Sequence, residues 1–439
     1  MNLTIHLGWR GAVDEEAQPI LNSFTLPVME YARSSSLLSL MENKLHLKMK
    51  TVKYSWQDKI KELICSIVAG CEHTVSINHR LVPDTTLAKE VIGKDRFADQ
   101  SGINRLLHTF TEENLRELEE LHAEDYMLHG VAGKRPRDEL IFVDVDMTGF
   151  RADGATYEGA EKGYIGKKGA RGYKASFTYV HSYREVLGCI FDKGNVSEDS
   201  HIDQLLHLVK MRIGSPKIRD IVLRGDAAYG KASIVDRCIE QGYIFLFKGM
   251  HTSSAEKYAK RIREWTRIDK ESEELYAGEF RGRIRGSKHN IRVIVFKHIN
   301  KNGCIEHWHL LTNLPDILYP KQMLFKLYHE KQGIEAYLKC DKSGLHLKNL
   351  RTRRLIGIKA FILLACITHN LIVHTLSSIK HIIKRGFIGA KAFVEKLACS
   401  KAWLIRKGSI LILAFTKENP SIKQYIKCIQ SPSLLDYIT

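Results

Sequence analysis

A few acidic side chains fall where acids can do chemistry. Asp144 and Asp146 lie two residues apart in the apolar run Glu139–Asp146, so both share one face of a strand. Asp226 ends a second apolar run, Asp220–Asp226, and the small-residue turn Ala227-Ala228-Tyr229-Gly230 follows it. Glu335 sits on the helical stretch Lys326-Leu-Tyr-His-Glu-Lys-Gln-Gly-Ile-Glu335. Sites in open α/β sheets form beyond the carboxyl ends of strands, where Asp146 and Asp226 both stand. Converging carboxylates repel unless cations neutralise them. An all-oxygen donor set without cysteine points to Mg²⁺, with Mn²⁺ as a substitute, rather than to zinc. Two such ions activate a water or hydroxyl and stabilise the leaving oxygen of a phosphodiester. Taken singly, a strand-end Asp is also an ordinary turn residue, and a helical Glu an ordinary solvated one.

The charge of the chain points to the same substrate. Its 439 residues carry 67 Lys+Arg against 50 Asp+Glu, a formal +17, which favours a polyanionic partner and says nothing about fold. Residues 350–439 hold 15 Lys+Arg and three acids, and Arg281–Lys301 holds seven Lys+Arg and no acid. The nine cysteines are scattered and form no CxxC pair, which argues against a disulfide framework and a cysteine zinc site and fits a reducing compartment. No GK[ST] phosphate loop, HExxH pair or GxSxG elbow is present, so neither ATP binding, zinc proteolysis nor serine hydrolysis is indicated. The amino terminus lacks the apolar core of a signal peptide. The most apolar stretch, Ala360–Thr368, is too short to span a bilayer and reads as a buried helix. A cytoplasmic protein is expected.

The elements that must position the acids follow from periodicity. Residues 1–130 read mostly helical, with helices at Trp56–Ala69 and Glu112–Met127. A pair of short helices around Gly93, one starting at Asp84 and one over Asp99–Thr109, is compatible with a helix-turn-helix, as it is with any helical bundle. From 139 the pattern changes to strands: Glu139–Asp146, Tyr173–His181 and Glu185–Asp192, then a helix, strand Asp220–Asp226, another helix and strand Tyr243–Lys248. Three strands in succession followed by alternation predict an α/β mixed sheet. Residues 255–312 interrupt it as a β-rich insertion, with a helix at Ala255–Trp265 and three strands. A long helix from Lys321 past Glu335 follows, and helices continue to the end apart from one β-like run, Ile410–Phe415. The Lys/Gly-rich run Gly163–Gly172 reads as a phosphate-contacting loop or as a plain solvated one.

The surroundings of Glu335 carry a resemblance. Tyr328, Lys331, Glu335 and Lys342 match the spacing Tyr-x2-Arg-x3-Glu-x6-Lys, the YREK signature of bacterial insertion-sequence transposases of the DDE type. Asp146-Met-Thr148 resembles that family's first-Asp motif, Leu223-Arg-Gly-Asp226-Ala-Ala-Tyr-Gly230 its second, and His309-Leu-Leu-Thr-Asn313-Leu the strand before its glutamate helix. The resemblance covers roughly residues 140–350. Lys331 departs from it by keeping the charge of the usual arginine without its bidentate fork.

The resemblance implies an RNase H-like core with Asp146, Asp226 and Glu335 as catalytic metal ligands, Asp144 being the runner-up for the first position. Tyr328, Lys331 and Lys342 would contact DNA, although Tyr328 fits helix packing equally well. Trp265 or Trp308 would stack on a flipped base, or simply be buried. The implied segments are 1–130, helical and end-recognising; 131–254, the first part of the core; 255–312, the insertion; 313–378, the second part of the core; and 379–439, a basic, mainly helical tail. The implied function is metal-dependent cleavage at the ends of an insertion element and strand transfer into target DNA by a homodimer. Alternatives are a related metal-dependent nuclease or a transposase-derived DNA-binding protein without catalysis.

Overall fold

Two short strands, β1 (Asn2–Leu7) and β2 (Gln18–Ile20), open the chain in the computed structural model, and helices follow to His129. The structure describes residues 2–7, 17–134, 140–214, 220–268, 274–331, 334, 335, 338, 345–384, 389–416 and 419–427. From Ile141 come β3 (Ile141–Arg151), β4 (Glu161–Ile165), β5 (Lys167–Val180), β6 (Glu185–Lys193), β7 (Ile221–Gly225) and β8 (Ile244–Lys248). They are followed by β9 (Thr266–Arg267), β10 (Glu274–Gly282), β11 (Ile291–Ile299) and β12 (Ile305–Thr312), and near the end by β13 (Ala402–Lys407) and β14 (Ile410–Phe415). Two compact units result. One comprises Met1–His129, Gly154–Gly159 and Leu338–Thr439; the other comprises Gly130–Asp153 and Ala160–Tyr337. This division differs from the five sequence segments, because the helix after residue 354 groups with the amino-terminal helices.

The second unit is built on a ten-stranded sheet in the order β4-β5-β3-β7-β8-β12-β11-β10-β9, with β6 also paired to β5. β3, β5 and β6 form an antiparallel meander, while β7 and β8 run parallel to β3. Parallel neighbours need crossovers, which the helices Glu198–Ile213 and Ala232–Glu240 supply. This is the expected RNase H-like mixed α/β sheet. The β-rich insertion does not stand apart from it: β12 pairs antiparallel with β8 (Leu311 opposite Phe247), so β9–β12 widen the same sheet. Its helix spans Thr252–Ala259, shorter than expected. The Lys/Gly-rich run is a hairpin of β4 and β5, with Gly166 at φ 74° in the turn, so its backbone is largely committed to the sheet.

Paired residues on neighbouring parallel strands point to the same face. Asp144 pairs with Arg224, and Val222 and Leu246 share that parity. Val222 and Leu246 join Phe296, Leu310 and Leu324 in one buried cluster, and Leu324 belongs to helix Lys321–His329. The face that carries Asp144 and Asp146 is therefore the face this helix covers. The helix does not run unbroken past Glu335 as expected. Lys331 N donates to Tyr328 O at 3.1 Å and Ile334 N to Lys331 O at 3.1 Å, a tighter winding, before Ile334 and Glu335 are helical again. The cause is visible one turn earlier: Arg224 Nη1 donates to Leu327 O at 2.6 Å, the carbonyl a continuing α-helix would give to residue 331.

In the first unit, helix Leu355–Ser378 has the length and apolarity of a membrane span, yet 89% of its most apolar window is buried. It packs against helices Thr25–Ser34, Trp56–Val68, Gln100–Thr109 and Glu112–His129, as a buried core helix should. The short pair around Gly93 is present as Thr85–Ile92 and Gln100–Thr109, with Gly93 at φ 65° ending the first and Asp99 capping the second. The flanking regions are not purely helical. β1, β14, β13 and β2 form a four-stranded sheet in that order, joining the two ends of the chain. β2 is too short to show alternation, whereas β1 alternates polar and apolar residues over Asn2–Leu7 and buries Leu3 and Ile5, a strand signal at odds with the helical reading of 1–130.

Candidate active site

The two aspartates of β3 share a face but not a role. Asp144 is fully buried and accepts a bidentate pair from Arg224, Nε to Oδ1 at 2.6 Å and Nη2 to Oδ2 at 3.0 Å. Burial pushes its carboxyl up to about 6 while the guanidinium pulls it down, so it is ionised at neutral pH, as the fork geometry requires. Both its oxygens are occupied by that fork. Asp146, two residues on, is partly exposed.

Asp226 follows the last residue of β7. Gly225 stands opposite Val145, so Asp146 and Asp226 are the next residues beyond that pair at the ends of adjacent strands. The turn after Asp226 is tight: its Oδ1 accepts from Ala228 N at 3.0 Å, and Tyr229 N donates back to the Asp226 carbonyl at 3.1 Å. A Cβ at Gly225 would meet Tyr229 Cβ at 2.7 Å, and one at Gly230 would lie 2.0 Å from Lys248 O. Both glycines are needed for the turn to lie this close to β8.

Glu335 is exposed, and its charge reaches Asp146. Burial lifts the Asp146 carboxyl to about 6, Lys331 opposes the rise, and Asp226 and Glu335 add to it. The three acids are thus near enough to repel. Among the described residues, however, no three His, Cys, Asp or Glu side chains stand close enough to hold a metal ion as they are. The donor chemistry nevertheless fits a hard divalent cation. The set is all oxygen, it carries mutual repulsion at Asp146 that Lys331 only partly relieves, and it has a partly exposed member at each strand end.

The residues expected to touch DNA are placed differently from one another. Lys331 is 4% exposed and turned into the protein, where its charge lowers the cost of burying Asp144 and Asp146; it does not present an ammonium to solvent. The buried carboxylates are the physical reason. Tyr328 is partly buried, and its hydroxyl is pushed up by burial first and then by Asp226, Glu335, Asp146 and Asp144, so it stays protonated and able to donate. Lys342 lies outside the described residues.

Trp308 stacks on Phe296, with ring centroids 3.9 Å apart, and a tilted Tyr328 ring lies 6.5 Å from it. With Lys248 and His307, the Trp308 and Tyr328 rings line a cleft of about 640 Å³ that reaches Ala227, next to Asp226. Trp265 lies across from His307 at 6.3 Å, under the Lys297 ammonium.

Arg224 went unrecognised in the sequence although it stands inside the Leu223-Arg-Gly-Asp226 motif. A lone cation within an apolar strand requires a buried counter-charge, and Asp144 in the other apolar strand was the available one.

No curated protein matches the chain. Among solved structures, it is similar to a chain in the cryo-EM structure of a piggyBac transposase synaptic complex with hairpin DNA, at 10% identity and a TM-score of 0.47, over 88% of this chain and 82% of that one. Residues 26–428 match the family described as "Transposase DDE domain group 1". The chain belongs to that family and is a DDE transposase.

Proposed function

We propose that the protein cleaves DNA at the ends of its own insertion element and joins the freed 3′-hydroxyl to target DNA. Asp146, Asp226 and Glu335 are the catalytic ligands in this reading. The observation that carries it is the juxtaposition of Asp146 and Asp226 at adjacent strand ends, within the field of Glu335. Bound Mg²⁺ or Mn²⁺ would supply Lewis-acid stabilisation of the attacking and leaving oxygens. Asp144 is assigned a structural task, because its oxygens are engaged by Arg224. In this reading the protonated Tyr328 hydroxyl donates to a phosphate oxygen that approaches the carboxylates, and Lys342 contacts the backbone further along. Lys331 holds the buried carboxylates in their ionised form until a divalent cation relieves them. The enzyme would act in the cytoplasm as a homodimer on paired element ends.

The test uses a plasmid carrying the DNA that flanks the reading frame. Asp146→Asn, Asp226→Asn and Glu335→Gln should each abolish Mg²⁺-dependent cleavage while leaving DNA binding intact. Near-full cleavage by any of the three removes that residue from the site. Cleavage without joining by the unmutated protein would make it a nuclease, and binding without any cleavage a DNA-binding derivative.

A further inference from the structure

The first unit carries a basic cleft that has no part in the carboxylate chemistry. It begins in the segment after helix Leu37–Lys44, where Leu45 and Leu47 are buried while Lys48 and Lys50 are exposed, so apolar anchors alternate with outward cations. The chain then turns through exposed Lys53 and half-buried Tyr54 into helix Trp56–Val68, whose start is fixed by a capping box between Ser55 and Asp58. Tyr54 is held in place because its hydroxyl donates to Arg96 O at 3.0 Å, and Lys53 and Lys94 lie 5.6 and 5.8 Å from its ring centre. Lys48, Lys50, Lys53, Lys59 and Arg105 line one cleft of about 670 Å³.

Lys59 is the unusual member. It is 6% exposed, on the cleft wall, and its ammonium meets Met49 Sδ at 3.5 Å. Among the described residues no carboxylate forms an ion pair with it. A lysine is almost never buried without a counter-charge, because desolvating an ammonium is costly. The neighbouring acids are already engaged. Asp99 is spent as the cap of helix Gln100–Thr109, accepting from Ser101 N and Gly102 N at 3.0 and 3.2 Å. Asp58 serves Ser55 N at 2.9 Å and Lys94 at 3.7 Å. Glu62 accepts from Ala98 N at 3.0 Å, and burial pushes its carboxyl up to about 9, which leaves it neutral. Among the described residues, five cations thus line one cavity against a single acid, the helix-capping Asp99, and an anion from outside would balance them.

We propose that this cleft is a backbone-phosphate site for double-stranded DNA, with Lys59 as the buried anchor for one phosphate and Lys48, Lys50 and Lys53 as the outer contacts. Its DNA partner rests on the transposase reading above. A phosphate entering the cleft would supply the counter-charge Lys59 lacks, and the exposed lysines would follow the backbone on either side. Contacts of this kind position a duplex and carry no sequence preference.

The experiment measures binding of the full chain to an arbitrary labelled duplex by fluorescence anisotropy across a salt series. Every phosphate that a variant no longer neutralises flattens the slope of log K against log salt by about 0.9. The triple variant Lys48→Gln/Lys50→Gln/Lys53→Gln, changed only at exposed positions, should bind with a slope shallower by about 2 to 3. Lys59→Met should lose about one further unit with no loss of melting temperature, since it removes a buried charge. A triple variant with the unmutated slope overturns the site and leaves the carboxylate chemistry untouched. If the unmutated protein binds no duplex at all, the transposase reading falls with it. The Asp226→Asn protein should keep the full slope, because the cleft owes nothing to that carboxylate.

Discussion

Arg224→Met is the most informative perturbation of the catalytic unit. The guanidinium is fully buried and makes three strong bonds, to both oxygens of Asp144 and to the Leu327 carbonyl, with Phe142 4.9 Å from its charge centre. Methionine fills much of the volume and removes every bond. Breaking a buried ion pair from one side costs about 3–5 kcal/mol, because the surviving charge stays in low dielectric. Asp144 then has only the Lys331 charge against its burial, so its carboxyl should rise above the present value of about 6 and take up a proton near neutrality. The companion variant Asp144→Leu/Arg224→Met replaces both partners with apolar groups and should recover most of that loss. It should not recover cleavage, because the Leu327 carbonyl is still untethered and the turn that delivers Lys331 and Glu335 has lost its anchor. Urea denaturation of the two variants, together with plasmid cleavage at saturating Mg²⁺, separates the two tasks. If Arg224→Met unfolds within about 1 kcal/mol of the unmutated protein, the pair is not the joint described here. If the double variant cleaves normally, the tether to Leu327 positions nothing.

Two further outcomes follow from the geometry. Glu62 is buried with its carboxyl raised from 4.5 to about 9, so the folded state holds a proton the unfolded chain has released. Its contribution to stability is therefore complete below 4.5 and falls by about 1.4 kcal/mol per pH unit as pH rises toward 9. Glu62→Gln should flatten that slope in denaturation curves taken across the window; an unchanged slope contradicts the assignment. Gly230→Ala forces a Cβ to within 2.0 Å of Lys248 O, a backbone atom that cannot swing away. The variant should lose about 1–3 kcal/mol in thermal denaturation and cleave poorly, as the Asp226 turn lifts from β8.

The fold was legible in the sequence where one physical signal dominated. Strands β3, β6, β7 and β8 lie within a few residues of their apolar runs, because β6, β7, β8 and the first half of β3 are largely buried on both faces and need no alternation to be seen. The alternation of helix and strand after β6 was enough to predict a mixed sheet. What failed was long-range: nothing local says that β12 will pair with β8, so the insertion looked separate although it widens the same sheet. The carboxyl-terminal β-like run Ile410–Phe415 was visible, but of its two partners, the neighbouring β13 and β1, the second lies at the other end of the chain. The helix carrying Glu335 was drawn too straight for the same reason. Its tightening depends on Arg224, a residue about a hundred positions away in sequence whose bond to Leu327 no periodicity encodes.

The same arginine explains why the acids could be named before their division of labour could. Spacing alone made Asp144 and Asp146 equivalent, since both face the covering helix. A cation at position 224 breaks the tie, because the parallel register sets Arg224 beside Asp144 and leaves Asp146 one step further toward the strand end. Burial then acts on them differently. Asp144 finds a counter-ion already in the protein, whereas Asp146 has Lys331 for partial relief and Asp226 and Glu335 against it. A site that is electrostatically complete has no use for a metal ion, and one left with excess negative charge has. The sheet thus places the satisfied carboxylate inside and the unsatisfied one at the edge where a DNA strand and its cations can arrive.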